Sequence, residues 1–135
     1  MILSKTLLIV KPDATDRRLI GHIISRLERA QFRIVAMCML RMDGERARRF
    51  YAVHEGKPFL DDLVAFMSSG SVVPMVLEKH NAVEDLRILV GATDPEKAAC
   101  GTIRQEIGVD VQRNSVHASD SDENAAIEIA FFFND

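Results

Sequence analysis

The sequence predicts an α+β fold of βαββαβ order: a four-stranded antiparallel sheet covered by helices, the ferredoxin-like arrangement, with a long loop inserted before the last strand. Three observations lead there. Residues 6–10 (Thr-Leu-Leu-Ile-Val) are apolar without alternation, the pattern of a central strand buried on both faces. Apolar residues then recur at helical spacing in Leu19, Ile20, Ile23, Ile24, Leu27 and Ala30, with Arg18, Arg26, Glu28 and Arg29 on the wet side. Strand-like and helical stretches go on alternating to the end of the chain, except across residues 91–113, which show no periodicity and contain Pro95, Gly101 and Gly108.

The elements follow in order. Lys11-Pro12-Asp13 closes the first strand, because proline supplies no ladder donor, and this holds Lys11 at the carboxyl end of a core strand. After the first helix, residues 32–42 are rich in Ile, Val, Met and Leu and read as one continuous second strand. Asp43-Gly44 ends it and opens a helix to about Val53. A second short helix carries Phe59, Leu63, Phe66 and Met67 and closes at Ser68-Ser69-Gly70. Residues 72–77 form the third strand. Asn81, with Glu84 three later, is expected to cap the next helix, which Gly91 stops after Val90. Residues 91–113 are expected to be a long functional loop. The fourth strand is placed at residues 114–116, with His117 at its end. Asp120, with Glu123 three later, then reads as a capping box opening the last helix.

At 135 residues the chain is expected to be one domain, residues 1–135. Its 47% apolar and 27% charged composition is that of an ordinary globular protein. The net charge of −3 disfavours a dedicated nucleic-acid binder. Cys38 and Cys100 have neither metal-ligand nor redox spacing. No apolar run approaches the ~18 residues of a membrane span. Lys5 interrupts the apolar start with no cleavage pattern after it, so a cytoplasmic location is expected.

Chemistry concentrates near the end. His117 stands at a strand-to-helix turn, where side chains face outward and backbone N–H groups of the new helix are unpaired. Asn114 lies three residues before it. Glu128, set among Ala125, Ala126, Ile129 and Phe132, is a carboxylate in partly apolar surroundings that needs a partner, for which the imidazole is a candidate. The chain has neither G-x-x-x-x-G-K-[ST] nor G-x-G-x-x-G, so any phosphate must be held by side chains. Lys11, Arg87, Thr93 and Arg104 are the candidates. Each has a bland alternative: Lys11 as a surface lysine, Arg87 paired with Glu84 one helical turn away, Arg104 as an ordinary loop arginine. Phe59 and Leu63, four apart on a helix, read equally well as core, and Tyr51 as a packing residue with a wet hydroxyl.

The order of three motifs, V-K-P-D at 10–13, G-A-T-D-P at 91–95 and N-S-V-H-A-S-D at 114–120, strongly resembles that of nucleoside diphosphate kinases, over about residues 5–132. The resemblance implies a ping-pong transfer of the γ-phosphate of a nucleoside triphosphate to a nucleoside diphosphate through a phosphohistidine on His117. It implies that Glu128, helped by Ser119, orients the ring. Arg87, Thr93 and Arg104 would grip the phosphates, and Lys11, Tyr51 and Asn114 would meet the ribose hydroxyls and the transferring phosphate. Phe59 would stack on the base beside Leu63 and Val111, which accepts every base because each has a π-face. It implies magnesium carried on the nucleotide phosphates, with no dedicated metal site in the protein, and a homo-oligomer built from dimers, as a tetramer or hexamer.

The chain departs from that pattern at Pro74, where a bulge or an unpaired edge is expected in the third strand, at Ser71, at Lys79-His80, at Cys100 and at His22. Phe131-Phe132-Phe133 reads as core or as a patch covered by a second subunit. The alternative function is a non-catalytic, nucleotide-binding regulatory module of the same fold. The intact set around His117 argues against it.

Overall fold

The computed structural model describes residues 3–133. Five strands and seven α-helices run in the order β1 (Leu3–Val10), α1 (Pro12–Asp16), α2 (Ile20–Arg29), β2 (Arg33–Met37), β3 (Leu40–Arg41), α3 (Gly44–Phe50), α4 (Leu60–Met67), β4 (Ser71–His80), α5 (Ala82–Val90), α6 (Ile103–Ile107), β5 (Val116–Ala118) and α7 (Asp122–Phe132). The sheet is antiparallel, in the order β2-β4-β1-β5, with the two-residue β3 also paired to β4. This is the expected α+β, ferredoxin-like class.

The unalternating β1 has its cause in two cores. Leu8 and Val10 belong to a cluster with Ile23 and Leu27 of α2, Leu86 of α5 and Ile103 of α6. Leu7 and Ile9 point to the opposite face, with Ala47 of α3, Val64 of α4 and Met67. All four β1 residues are fully buried. Each such burial stabilises by ~1.5–3 kcal/mol. A strand apolar on both faces needs a helical layer on both, and α3, α4 and α7 form the second one.

Several boundaries differ from the expectation. The single strand expected over residues 32–42 is two strands, interrupted at Cys38 and Met39. The cause is Pro74. Its neighbours set the register, Met37 against Met75 and Leu40 against Val72, so Cys38 lies opposite Pro74. Cys38 donates its N–H to the Pro74 carbonyl at 3.2 Å, but proline has no N–H to return. β4 itself runs unbroken through Pro74, which pairs with Ile9 on the β1 side. The expected bulge or edge at Pro74 is therefore corrected: β4 is an inner strand, and the gap appears in the chain beside it. The one irregularity in the β2–β4 ladder lies between Ile34 and Ala36.

Two caps also differ. Asn81 is left-handed, with φ 59°, and its side chain turns to Glu84 rather than to the backbone. The N–H of Ala82 donates instead to Ser4 Oγ at 3.0 Å, so β1 caps α5. The last helix is capped by Ser121, whose hydroxyl accepts from the Asn124 N–H at 3.0 Å, one residue after the expected Asp120. β5 comprises Val116–Ala118, so His117 sits inside the strand and not at its end. The long loop holds α6, with Ile103 and Ile107 buried.

Candidate functional site

β5 pairs with β1 in the register Ile9 to His117. Cross-strand partners share a face, so His117 lies on the side of the sheet that carries α3, α4 and α7, while Val116 and Ala118 join the other core. Two turns along α7, Glu128 meets it: His117 Nε2 stands 2.8 Å from Glu128 Oε1. The fully buried Ser119 donates its hydroxyl to the same oxygen at 2.6 Å. A carboxylate on Nε2 fixes the tautomer with the proton there and leaves the Nδ1 lone pair free. Phe50 stands edge-on to the imidazole at 5.4 Å and Tyr51 at 6.2 Å, which limits how the ring tilts.

His117 lines a cleft of about 830 Å³. Of the twelve site residues read from the sequence, eleven line it: Lys11, Tyr51, Phe59, Leu63, Arg87, Thr93, Arg104, Val111, Asn114, His117 and Glu128. Ser119 lies behind Glu128.

For the three cations the bland alternatives fall, whereas Tyr51 does belong to the second core and Leu63 packs against it. Lys11 is 6% exposed, and its Nζ donates to Asn114 Oδ1 at 2.8 Å and to the Gln112 carbonyl at 3.3 Å. Burial, with the Arg104 charge adding to it, pulls its pKa down to about 8. Arg87 is not paired with Glu84; it donates to the Ala118 carbonyl at 3.3 Å. Arg104 is 9% exposed and is no loop arginine. It lies on α6, donating to the carbonyls of Gly91 at 3.0 Å and Val116 at 2.8 Å. Its Nε is buried with no partner among the described residues. Burial and the Arg87 charge pull its pKa down to about 10. Two guanidiniums and an ammonium thus face one cleft without a carboxylate among their hydrogen-bond partners in the described residues, an arrangement that favours a polyanion.

Gly91 makes the approach of α6 possible. It has φ 92°, and a Cβ there would lie 2.5 Å from Thr102 Oγ1, the residue whose hydroxyl caps α6. Asn114 is tied from both sides, its amide donating to the carbonyls of Thr93 at 3.0 Å and Val111 at 2.9 Å.

At the cleft mouth two of the apolar residues are exposed rather than core: Phe59 is 47% exposed and Val111 57%. Phe59 is the residue before α4 starts, and His54 packs edge-on against it at 5.2 Å. Tyr51 is the reverse case. It is 5% exposed, with its hydroxyl unpartnered among the described residues, and burial together with the Glu128 charge raises its pKa. Sequence reasoning missed Phe50, His54, Gln112, Asp120 and Asn124 in the lining. Asp120 was legible as a helix-start residue, but nothing in the local pattern aims it or Asn124 at the cleft.

The family model described as nucleoside diphosphate kinase matches residues 4–135. The chain is 56% identical to the nucleoside diphosphate kinase of Chlorobaculum parvum over 131 residues, covering 97% of this chain and 94% of that one. It is 53% identical to that of Histophilus somni, covering 98% and 94%. Its fold superposes on the Aquifex aeolicus nucleoside diphosphate kinase with a TM-score of 0.95 at 44% identity, over 98% of this chain and 96% of that one. With the Halobacterium salinarum enzyme in complex with CDP the TM-score is 0.93 at 45% identity, over 98% and 88%.

Proposed function

The chain belongs to the nucleoside diphosphate kinase family, and from that premise we propose how its cleft carries the γ-phosphate of a nucleoside triphosphate to a nucleoside diphosphate. The Nδ1 lone pair of His117 attacks the γ-phosphorus, the bond to the β–γ bridging oxygen breaks, and the diphosphate leaves with that electron pair. A terminal oxygen of the acceptor diphosphate then attacks the same phosphorus, the N–P bond breaks, and His117 regains its lone pair. The observation that carries this reading is the Glu128 contact on Nε2, with Ser119 on the same oxygen. It frees Nδ1, and it places a negative charge where the imidazole becomes positive as the N–P bond forms.

The remaining residues divide the substrate among them. Arg87, Arg104 and Thr93 hold the phosphates, and their charge offsets what develops on the equatorial oxygens during transfer. Lys11, kept in place by Asn114, meets the transferring phosphate, and Asn114 and Tyr51 lie toward the ribose side. Phe59 stacks on the base, flanked by Leu63 and Val111. That the Halobacterium relative is described with CDP supports nucleotide binding in this cleft.

Magnesium fits this cleft only as a cation brought by the nucleotide. Among the described residues no three His, Cys, Asp or Glu side chains cluster. Of the two lining carboxylates, Glu128 is held by His117 and Ser119 while Asp120 is exposed. When bound, the ion would neutralise phosphate charge, keeping most of its waters.

We take residues 1–135 as one domain, residues 1, 2, 134 and 135 lying outside the described ones. None of the helices described is long and apolar enough to cross a membrane, and a cytoplasmic location is the reading we adopt. Self-association is proposed through the β2 edge of the sheet, where Val35, Met37 and nearby Met39 are exposed beside a strand paired on one side only.

The test is incubation with γ-labelled ATP and magnesium without an acceptor. Label that survives base, leaves in acid, moves to added GDP and is absent from His117→Ala supports the mechanism. Binding of nucleotide without labelling would make the cleft a pocket only, the regulatory module of the alternative reading.

A further inference from the structure

A short strained segment precedes the histidine, and none of the roles above accounts for it. The N–H of Val116 donates to the Asn114 carbonyl at 3.0 Å, and the residue spanned, Ser115, has φ 82°. An i to i+2 hydrogen bond around a positive φ is the rare, strained hand of the γ-turn. Ser115 is fully buried, and its own Oγ has no partner among the described residues, so the hydroxyl does not hold the turn.

What holds it is the start of α1. Lys11 donates its backbone N–H to the Ser115 carbonyl at 2.9 Å. Ser115 donates its N–H to Asp13 Oδ2 at 3.1 Å. The residues on either side of the turn carry site contacts. Asn114 holds the Lys11 ammonium, the Val116 carbonyl receives Arg104, and His117 follows directly.

We propose that Asp13 is a positioning residue for phosphoryl transfer, its carboxylate oxygen holding the Ser115 turn in the conformation that brings Lys11, Asn114 and His117 to bear on one phosphate. The inference rests on the kinase reading above. A serine leaves the left-handed region unless its surroundings over-determine it, and without Asp13 the buried Ser115 N–H loses its acceptor. Relaxation rotates the two peptide planes that flank Ser115, one next to Asn114 and the other next to the carbonyl that receives Arg104. Misplacement by 1 Å costs transfer rates ~10²-fold. Asp13 also neighbours Lys11, so it has a competing role as a plain counter-charge, and the variants must separate the two.

The experiment uses the full chain with Asp13→Ala, Asp13→Asn, Ser115→Gly and the double variant Asp13→Ala/Ser115→Gly. It reads steady-state kcat and KM and the single-turnover phosphorylation rate of His117 from γ-labelled ATP. Asp13→Ala is expected to lower kcat ~10–100-fold, with KM within about threefold. Asp13→Asn keeps an acceptor oxygen without the charge and is expected to stay within about threefold of the parent. Glycine adopts a positive φ without strain, so adding Ser115→Gly to Asp13→Ala is expected to restore kcat at least about fivefold. A kcat for Asp13→Ala within twofold of the parent overturns the inference, as does Asp13→Asn falling as far as Asp13→Ala, or a double variant that recovers less. If Asp13→Ala does not fold, Asp13→Asn decides: kcat near the parent supports the turn, and a tenfold fall at an unchanged melting temperature overturns it. A parent chain that takes no label removes the kinase reading and this one together, whereas a labelled parent with an unchanged Asp13→Ala removes this one alone.

Discussion

Replacing Glu128 by glutamine tests the centre of the site, because it keeps shape and removes charge. One carboxylate oxygen accepts two hydrogen bonds, from His117 Nε2 at 2.8 Å and from Ser119 at 2.6 Å. The His117 and Glu128 side chains are only 20% and 18% exposed, so water screens the pair little. Hydrogen bonds to a charged group contribute ~1.5–3 kcal/mol each, against ~0.5–1.5 for neutral ones. The difference, ~1–2 kcal/mol, acts mostly in the transition state, where the imidazole is cationic. At 1.36 kcal/mol per decade this lowers kcat ~5–30-fold. An amide also presents its NH₂ if it flips, which would meet the Ser119 hydroxyl and weaken the orientation further. Glu128→Ala, which leaves His117 Nε2–H and a fully buried hydroxyl without their acceptor, should lose more, ~10²-fold or beyond. The assay is quench-flow phosphorylation of the enzyme by γ-labelled ATP in single turnover, with nucleotide affinity measured separately by calorimetry. Affinity should stay within about threefold, since Glu128 orients the ring and grips no phosphate. A Glu128→Gln rate within twofold of the parent, or a loss that appears wholly in affinity, would refute the reasoning.

Four further outcomes are expected. Lys11 has its pKa lowered to about 8, so kcat/KM should fall as pH rises through about 8, and Lys11→Arg should carry the alkaline limb upward; an alkaline limb unmoved in Lys11→Arg would exclude Lys11 as its cause. The same shift has a stability sign: the folded chain holds fewer protons than the unfolded one between about 8 and 10.5, so the penalty of burying the ammonium is full below pH 8 and is relieved as pH rises across that window, which pH-dependent melting of Lys11→Met against the parent would show. Phe59→Ala should raise KM by ~5–160-fold, from a stacking contribution of ~1–3 kcal/mol, about equally for purine and pyrimidine diphosphates, with little change in melting temperature because the ring is 47% exposed; selective loss of one base class would contradict stacking. Met37→Lys on the β2 edge should give a smaller particle by light scattering, and an unchanged mass would move the contact elsewhere.

What was legible in the chain is what local pattern controls. The uninterrupted apolar run of β1 announced a strand buried on two faces, and Gly91 stopped α5 where expected. His117 was visible because a histidine before a run of helix-starting residues is a local arrangement, and Glu128 because a carboxylate among apolar neighbours needs a partner within reach.

The rest depended on residues far apart in sequence. The break at Cys38 comes from Pro74 across the sheet, so the proline's effect shows in a strand that does not contain it. Ser4 caps α5 from β1, a donor–acceptor match that no spacing rule contains. Arg87 had Glu84 as a fitting partner one turn away, and only the approach of β5 supplied the Ala118 carbonyl it contacts instead. α6 was invisible because five residues are too short to show a period, yet it buries Arg104. By itself, then, the sequence determined which side chains were available and which stretches would be strand or helix, since those follow from period and capping. Only the tertiary structure decided which cations share one cleft, which nitrogen of His117 is left free and that Phe59 stands open at the mouth. Those are matters of distance and desolvation, which arise only where separate elements meet.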